Sequence, residues 1–185
     1  GRLCWEVAAW RTGAKGDSRK FGGWAVGWKG ALAQAGIGLG ALSVVETHDC
    51  FTIAELIEYE ARGLVAEGQG ARALQEGWTQ KDGRLPVNPS GGLKAKGHPI
   101  GATGVSMHVM TAMQLVGQAP EGMQLNGAQL GGIFNMGGAA VANYVSLLEP
   151  LESGVVSVPQ ETLACANPAR PRRVYLTESF DRSGH

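Results

Sequence analysis

No run of 18 apolar residues occurs in the 185-residue sequence, so the chain carries no candidate membrane-spanning helix. Its N-terminus also lacks the apolar core of a secretory signal, and the chain is read as soluble and cytoplasmic. Charge is scarce at 17%, and 16 basic residues cancel 16 acidic ones to a formal net charge of +0. Without a basic excess there is no sequence-independent nucleic-acid surface, because such surfaces must neutralise phosphates. Cysteine is limited to Cys4, Cys50 and Cys165, an odd and widely spaced set with no Cys-x-x-Cys pair. That pattern argues against a disulfide framework or a metal site and points to a reducing compartment. No bound cofactor is expected. The sequence begins at Gly1 rather than Met, which reads as a fragment or a processed product.

Glycine is the abundant residue: 29 of 185, about twice the average usage. It clusters at Gly91, Gly92, Gly97, Gly101 and Gly104 and again at Gly131, Gly132, Gly137 and Gly138. Such clusters serve plain turns, or the close backbone approach of a ligand-lined site. The length suits one domain, with 44% hydrophobic residues to fill its core. Residues 1–23 show no clean period and are read as an irregular segment. Helical spacing of Trp24, Trp28, Ala31, Leu32 and Ala35 predicts a helix stopped by Gly36. Leu42 to Glu46 is apolar and β-branched, the mark of a short buried strand.

Thr52-Ile53-Ala54-Glu55 reads as a capping box with a Phe51–Leu56 staple, opening a helix that Arg62 and Gly63 close. A second helix is predicted from Pro99, which suits a first helical position, to about Val116. It is apolar almost all round and so is expected to be buried. Two strands, Leu130–Phe134 and Ala139–Leu148, flank a tight Asn135-Met136-Gly137-Gly138 bend. The order α, β, α, β, α, β, β predicts a layered α/β domain with a mixed sheet over residues 24–150. Residues 151–185, with Pro159, Pro168 and Pro171, are read as a disordered tail.

Two constellations carry chemistry. His48-Asp49-Cys50-Phe51 follows a strand and precedes a helix, the place where α/β sheets bind ligands. A helix N-terminus favours a thiolate, so Cys50 is expected to have a lowered pKa, with His48 close enough to exchange its proton. The bland alternative is a small buried hydrophobe. In Gly97-His98-Pro99, His98 stands at the predicted start of a helix, either as a cap or as a donor to a developing oxyanion. Lys94 and Lys96 are read as a solvent-facing strand edge or as a phosphate attractor, His108 as a core or interface histidine, and His185 as terminal.

The seventeen residues Asn88-Pro-Ser-Gly-Gly-Leu-Lys-Ala-Lys-Gly-His-Pro-Ile-Gly-Ala-Thr-Gly104 resemble the long thiolase motif that ends in Gly-His-Pro and runs on into a helix. His-Asp-Cys-Phe at 48–51 stands where most thiolases carry Asn-Glu-Ala-Phe, and is similar to the sterol-carrier-protein-2 branch. The resemblance runs from about Trp24 to Glu149 and implies the C-terminal half of a thiolase fold. It implies acyl transfer between coenzyme A thioesters, either thiolysis of a 3-ketoacyl-CoA or Claisen condensation. By that resemblance His98 is the oxyanion donor, Cys50 the proton shuttle, and His48 replaces the Asn that holds an oxyanion-hole water. Asn88, Gly91, Gly92, Gly97, Gly137 and Gly138 would shape the substrate site. The usual Cys-x-Gly loop reads Phe134-Asn135-Met136-Gly137-Gly138 here, without a cysteine. The implied partners are acyl-CoA and CoA, an absent N-terminal half that supplies the acylated cysteine, and a second copy in the complete enzyme. Two other readings stand beside it: a thiolase-fold retro-aldolase acting on acyl-CoA side chains, and a non-catalytic scaffold half.

Overall fold

The structure, a computed structural model, describes residues 4–13, 22–138, 141–151 and 174–175. Five strands form one mixed sheet: β1 (Cys4–Gly13), β2 (Val44–Thr47), β3 (Gly131–Gly137), β4 (Ala142–Pro150) and β5 (Val174–Tyr175). Their spatial order is β2-β3-β4-β1-β5. β2 runs parallel to β3, from Val44 opposite Gly131 to Thr47 opposite Phe134. The remaining neighbours are antiparallel.

The helices are α1 (Gly22–Ala35), α2 (Thr52–Ala61), α3 (Gly70–Gln75), α4 (Gly92–Lys96) and α5 (Thr103–Val116). Alternation along the strands sorts the core into two clusters. Val45, Phe134, Val145 and Leu147 pack with Trp24 and Trp28 of α1 and with Ala54 and Tyr59 of α2. Val44, Ile133 and Leu148 pack with Met107 and Leu115 of α5. Strands β2, β3 and β4 therefore carry core residues on both faces, the layered arrangement expected. Two adjacent glycines on β3 allow it. A Cβ at Gly131 would lie 2.2 Å from Thr111 Cγ2, and one at Gly132 would lie 2.9 Å from Trp28 Cη2.

Several expectations need correction. Residues 4–13 are not irregular: β1 pairs along the whole of β4, from Cys4 opposite Pro150 to Gly13 opposite Ala142. A partner so distant in sequence leaves no local period to read. In the stretch read as a tail, Val174–Tyr175 adds β5 to the free edge of β1, while 152–173 and 176–185 lie outside the described residues.

The capping box is not made. Phe51 is the N-cap of α2, and no side chain bonds the cap. Glu55 instead accepts from Tyr59 Oη at 2.5 Å and pairs with Lys94. Phe51 is also exposed rather than stapled. The C-terminus behaves as read, with Gly63 at φ 82° directly after Arg62.

α5 begins at Thr103, not Pro99, because Gly101 takes φ 87°, which no α-helix contains. Nor is α5 buried all round. Thr103, Met107, Thr111, Gln114 and Leu115 are buried, while Val105 and Val109 are exposed. Lys94 and Lys96 lie on the short helix α4, not a strand edge, and both reach carboxylates: Lys94 those of Asp49 and Glu55, Lys96 that of Glu46.

Candidate active site

β2 ends at Thr47, and the chain turns through His48, Asp49 and Cys50 before α2 begins. This is the carboxyl end of a parallel pair, where neighbouring β3 delivers Asn135 and Met136. Side-chain clamps hold the turn. Asn88, at the left-handed φ of 51°, accepts the Thr47 N–H on Oδ1 at 2.7 Å. Thr47 Oγ1 donates to the buried Glu58 carboxylate. Asp49 is fully buried and accepts the Leu93 N–H at 2.7 Å and the Lys94 N–H at 3.5 Å, tying the turn to α4. Gly92 must lack a side chain for this, since a Cβ there would fall 2.2 Å from Asp49 Oδ2.

From α4 the chain leads through Gly97 to His98, whose ring meets that of His48 edge-on with centroids 4.8 Å apart. Each imidazole is held at Nδ1: His48 by Asn135 Oδ1 at 2.7 Å, His98 by Thr103 Oγ1 at 2.7 Å. Both Nε2 atoms are thereby left for other partners. His48, His98, Cys50, Asn135, Gly137 and Gly138 line one open cleft of about 870 Å³. Its remaining walls are largely apolar, with Ile53, Ile57, Ile100 and Val105 among them. That volume lies in the range of small-molecule sites. Burial holds His48 below the usual imidazole range; the Asn135 bond opposes this, and the neighbouring His98 adds to it. Two imidazoles and a thiol at one apolar cleft can exchange protons with a substrate and stabilise charge on its oxygen.

Residues 14–150 match the family model described as thiolase C-terminal domain-like. The chain belongs to the thiolase C-terminal-domain family. It is 44% identical over 110 residues to an acetyl-CoA acetyltransferase of Methanothermobacter thermautotrophicus, covering 60% of this chain and 28% of that protein. It is 44% identical over 110 residues to sterol carrier protein 2 of Rattus norvegicus, covering 58% of this chain and 20% of that one. Among solved structures, an "Ltp2-ChsH2(DUF35) aldolase" superposes with a TM-score of 0.70 at 17% identity, over 80% of this chain and 40% of that chain. The matched stretch thus spans under a third of these two sequence relatives.

Within this thiolase domain the residues singled out from sequence divide in two. His48, Cys50, His98, Gly137 and Gly138 line the cleft. Asn88, Gly91, Gly92 and Gly97 do not: Asn88 and Gly92 brace the His48–Cys50 turn, and Gly91 and Gly97 flank α4 at φ 90° and 83°. His98 is not at the helix start, since Ala102 is the N-cap of α5 and Thr103 supplies its contact. The lowered thiol pKa expected for Cys50 is reversed. Burial first, then the Glu58 carboxylate, push the thiol up, and bonds from the Phe51 and Cys50 amides only partly offset them. Sequence reasoning missed the side chains of Asn135 and Thr103. Thr103 sits five residues after His98 and could have been noticed; Asn135 is 87 residues from His48 and gives no local signal. Among the described residues no group of three or more His, Cys, Asp or Glu side chains is arranged to hold a metal ion. Nor is any helix there long and apolar enough to cross a membrane.

Proposed function

We propose that this domain is the C-terminal half of a thiolase-type acyltransferase, which cleaves 3-ketoacyl-CoA by thiolysis or runs the reverse Claisen condensation. The single observation that carries the reading is the meeting of the His48 and His98 rings with Cys50 at one apolar cleft beyond the parallel strand ends. The acylated cysteine belongs to an N-terminal half that these 185 residues do not include, and the complete enzyme works as a homo-oligomer.

In the cleavage direction that cysteine attacks the 3-keto carbon as a thiolate, and the keto oxygen becomes an oxyanion. Nε2–H of His98 donates to it. When the Cα–Cβ bond breaks, its electron pair passes to the α-carbon, and Cys50 gives up its thiol proton there. An acyl-enzyme and an acetyl thioester result. The thiol of coenzyme A then returns a proton to the Cys50 thiolate and attacks the acyl-enzyme as its own thiolate, releasing the nucleophilic cysteine. A thiol held protonated by burial suits the donor's part in the first step. The apolar residues Ile53, Ile100 and Val105 suit an acyl chain.

The test is thiolysis of acetoacetyl-CoA by the chain alone and by the chain combined with a thiolase N-terminal half. No turnover is expected alone. In the combined enzyme, His98→Ala should cost on the order of 10²–10³ in turnover, and Cys50→Ser roughly 10² or more. Robust turnover by the chain alone, or full activity of Cys50→Ser, defeats the assignment. Cleavage of a 3-hydroxyacyl-CoA that is indifferent to Cys50→Ser would put retro-aldol chemistry in its place.

A further inference from the structure

The two imidazoles share a cleft, but their second partners differ in kind. Thr103 offers His98 a hydroxyl, which both donates and accepts and also reaches the Pro99 carbonyl at 3.3 Å, so it sets no tautomer there. Asn135 turns its amide oxygen to His48 Nδ1 at 2.7 Å, and a carbonyl oxygen can only accept. The hydrogen of neutral His48 therefore resides on Nδ1, and Nε2 keeps its lone pair. Burial keeps the ring neutral and so preserves this asymmetry. Asn135 is itself seated by a glycine. A Cβ at Gly104, in the first turn of α5, would lie 2.8 Å from Asn135 Nδ2, closer than a side chain can approach. Gly104 has an ordinary helical φ, so conformational freedom does not explain the glycine; room for the amide does.

We propose that Gly104 and Asn135 are positioning residues which lock His48 as the Nδ1–H tautomer, making Nε2 of His48 a hydrogen-bond acceptor in the cleft. The assignment deepens the acyltransfer reading, because there His48 takes the hydrogen of a water or thiol rather than donating to the oxyanion itself. The tautomer rests on geometry alone, so it can be tested without any turnover.

The measurement is long-range ¹H–¹⁵N correlation spectroscopy of the histidine-labelled 185-residue chain without substrate, with His48 assigned through His48→Gln. Wild type should show a pyrrole-type Nδ1 and a pyridine-type Nε2 for His48. Asn135→Leu should lose this single tautomer, and Asn135→Asp, whose carboxylate can only accept, should restore it. Gly104→Ala should disturb the His48 signals as Asn135→Leu does, yet leave Tm unchanged or raised, because Ala is the better helix former. In the enzyme combined with its N-terminal half, Gly104→Ala should lower kcat by roughly tenfold to a hundredfold, the scale of a group misplaced by up to about 1 Å. A hydrogen on Nε2 in wild type overturns the proposal. So do unmoved His48 signals in Asn135→Leu or in Gly104→Ala. If the tautomer holds but no thiolysis is found, it is the acyltransfer reading that fails.

Discussion

Gly92→Ala should destabilise the domain more than Gly97→Ala, although Gly92 opens the short helix α4 and Gly97 closes it, both at positive φ. Gly92, at φ 64°, carries the left-handed penalty of about 1–2 kcal/mol, and Gly97, at φ 83° and ψ 173°, lies in a glycine-only region that costs about 1–3 kcal/mol. Gly97 has nothing within 4 Å of a built Cβ, and its cost stops there. At Gly92 the new methyl would lie 2.2 Å from Asp49 Oδ2 and 2.7 Å from Cγ, so the carboxylate must move. Asp49 is wholly buried, and moving it stretches its bonds to the Leu93 and Lys94 amides and the 3.6 Å ion pair with Lys94. A hydrogen bond to a charged group is worth about 1.5–3 kcal/mol, which brings Gly92→Ala to about 3–5 kcal/mol. Urea titration followed by fluorescence of the buried Trp24 and Trp28 reads the difference directly. At equal slope, the Gly92→Ala midpoint should fall by about twice the Gly97→Ala shift. Equal midpoints would mean that Asp49 does not brace the turn against α4.

The remaining predictions concern titration. Peptide-resolved alkylation of Cys50 should rise with a midpoint above the ordinary thiol value of about 8.5, and Glu58→Gln should lower that midpoint; a wild-type midpoint below the ordinary value contradicts the burial argument. Burial also raises the carboxyl of Glu46, against the opposing pull of Ser90 and Lys96. Folding then favours its protonated form, so its contribution is full below about pH 4 and is lost as pH rises through the folded value. Glu46→Gln should flatten the stability curve over that window, whereas parallel curves for the two proteins would place Glu46 among groups that folding does not perturb.

Legibility in the sequence followed the range of the interaction. The strands at 44–47 and 131–137 and the helix at 22–35 announce themselves through their own residues. So does the stop at Gly63, because each needs only local spacing or one backbone angle. β1 does not: its pairing spans from Cys4 to Pro150, and its own ten residues, with Glu6, Arg11 and Gly13 among them, carry no clean helical or alternating signature. The capping box failed because its local signal was genuine but outcompeted. Glu55 found Tyr59 and Lys94 in three dimensions, and a carboxylate serves a cation and a phenol better than one exposed amide. Likewise Pro99 was a sound first helical residue until Gly101 broke the run two residues later.

The same competition decides what Cys50 can do. Its place before α2 does supply the expected amide bonds, from Phe51 and from its own N–H, and both draw the thiol pKa down. They lose to burial and to two acidic neighbours, Glu58 and Asp49, of which the first sits inside α2 and the second in the turn itself. A helix N-terminus is a field of partial charges that fades within a turn, whereas desolvation acts on the whole thiolate. The net result is a thiol that keeps its proton at neutral pH. For a nucleophile that would be a handicap. For a group that must deliver a proton to a nascent carbanion it is a requirement, since a shuttle already ionised at rest has nothing to give. The acidic neighbours that spoil Cys50 as a nucleophile thus support the part proposed for it, as the acid of the cleft.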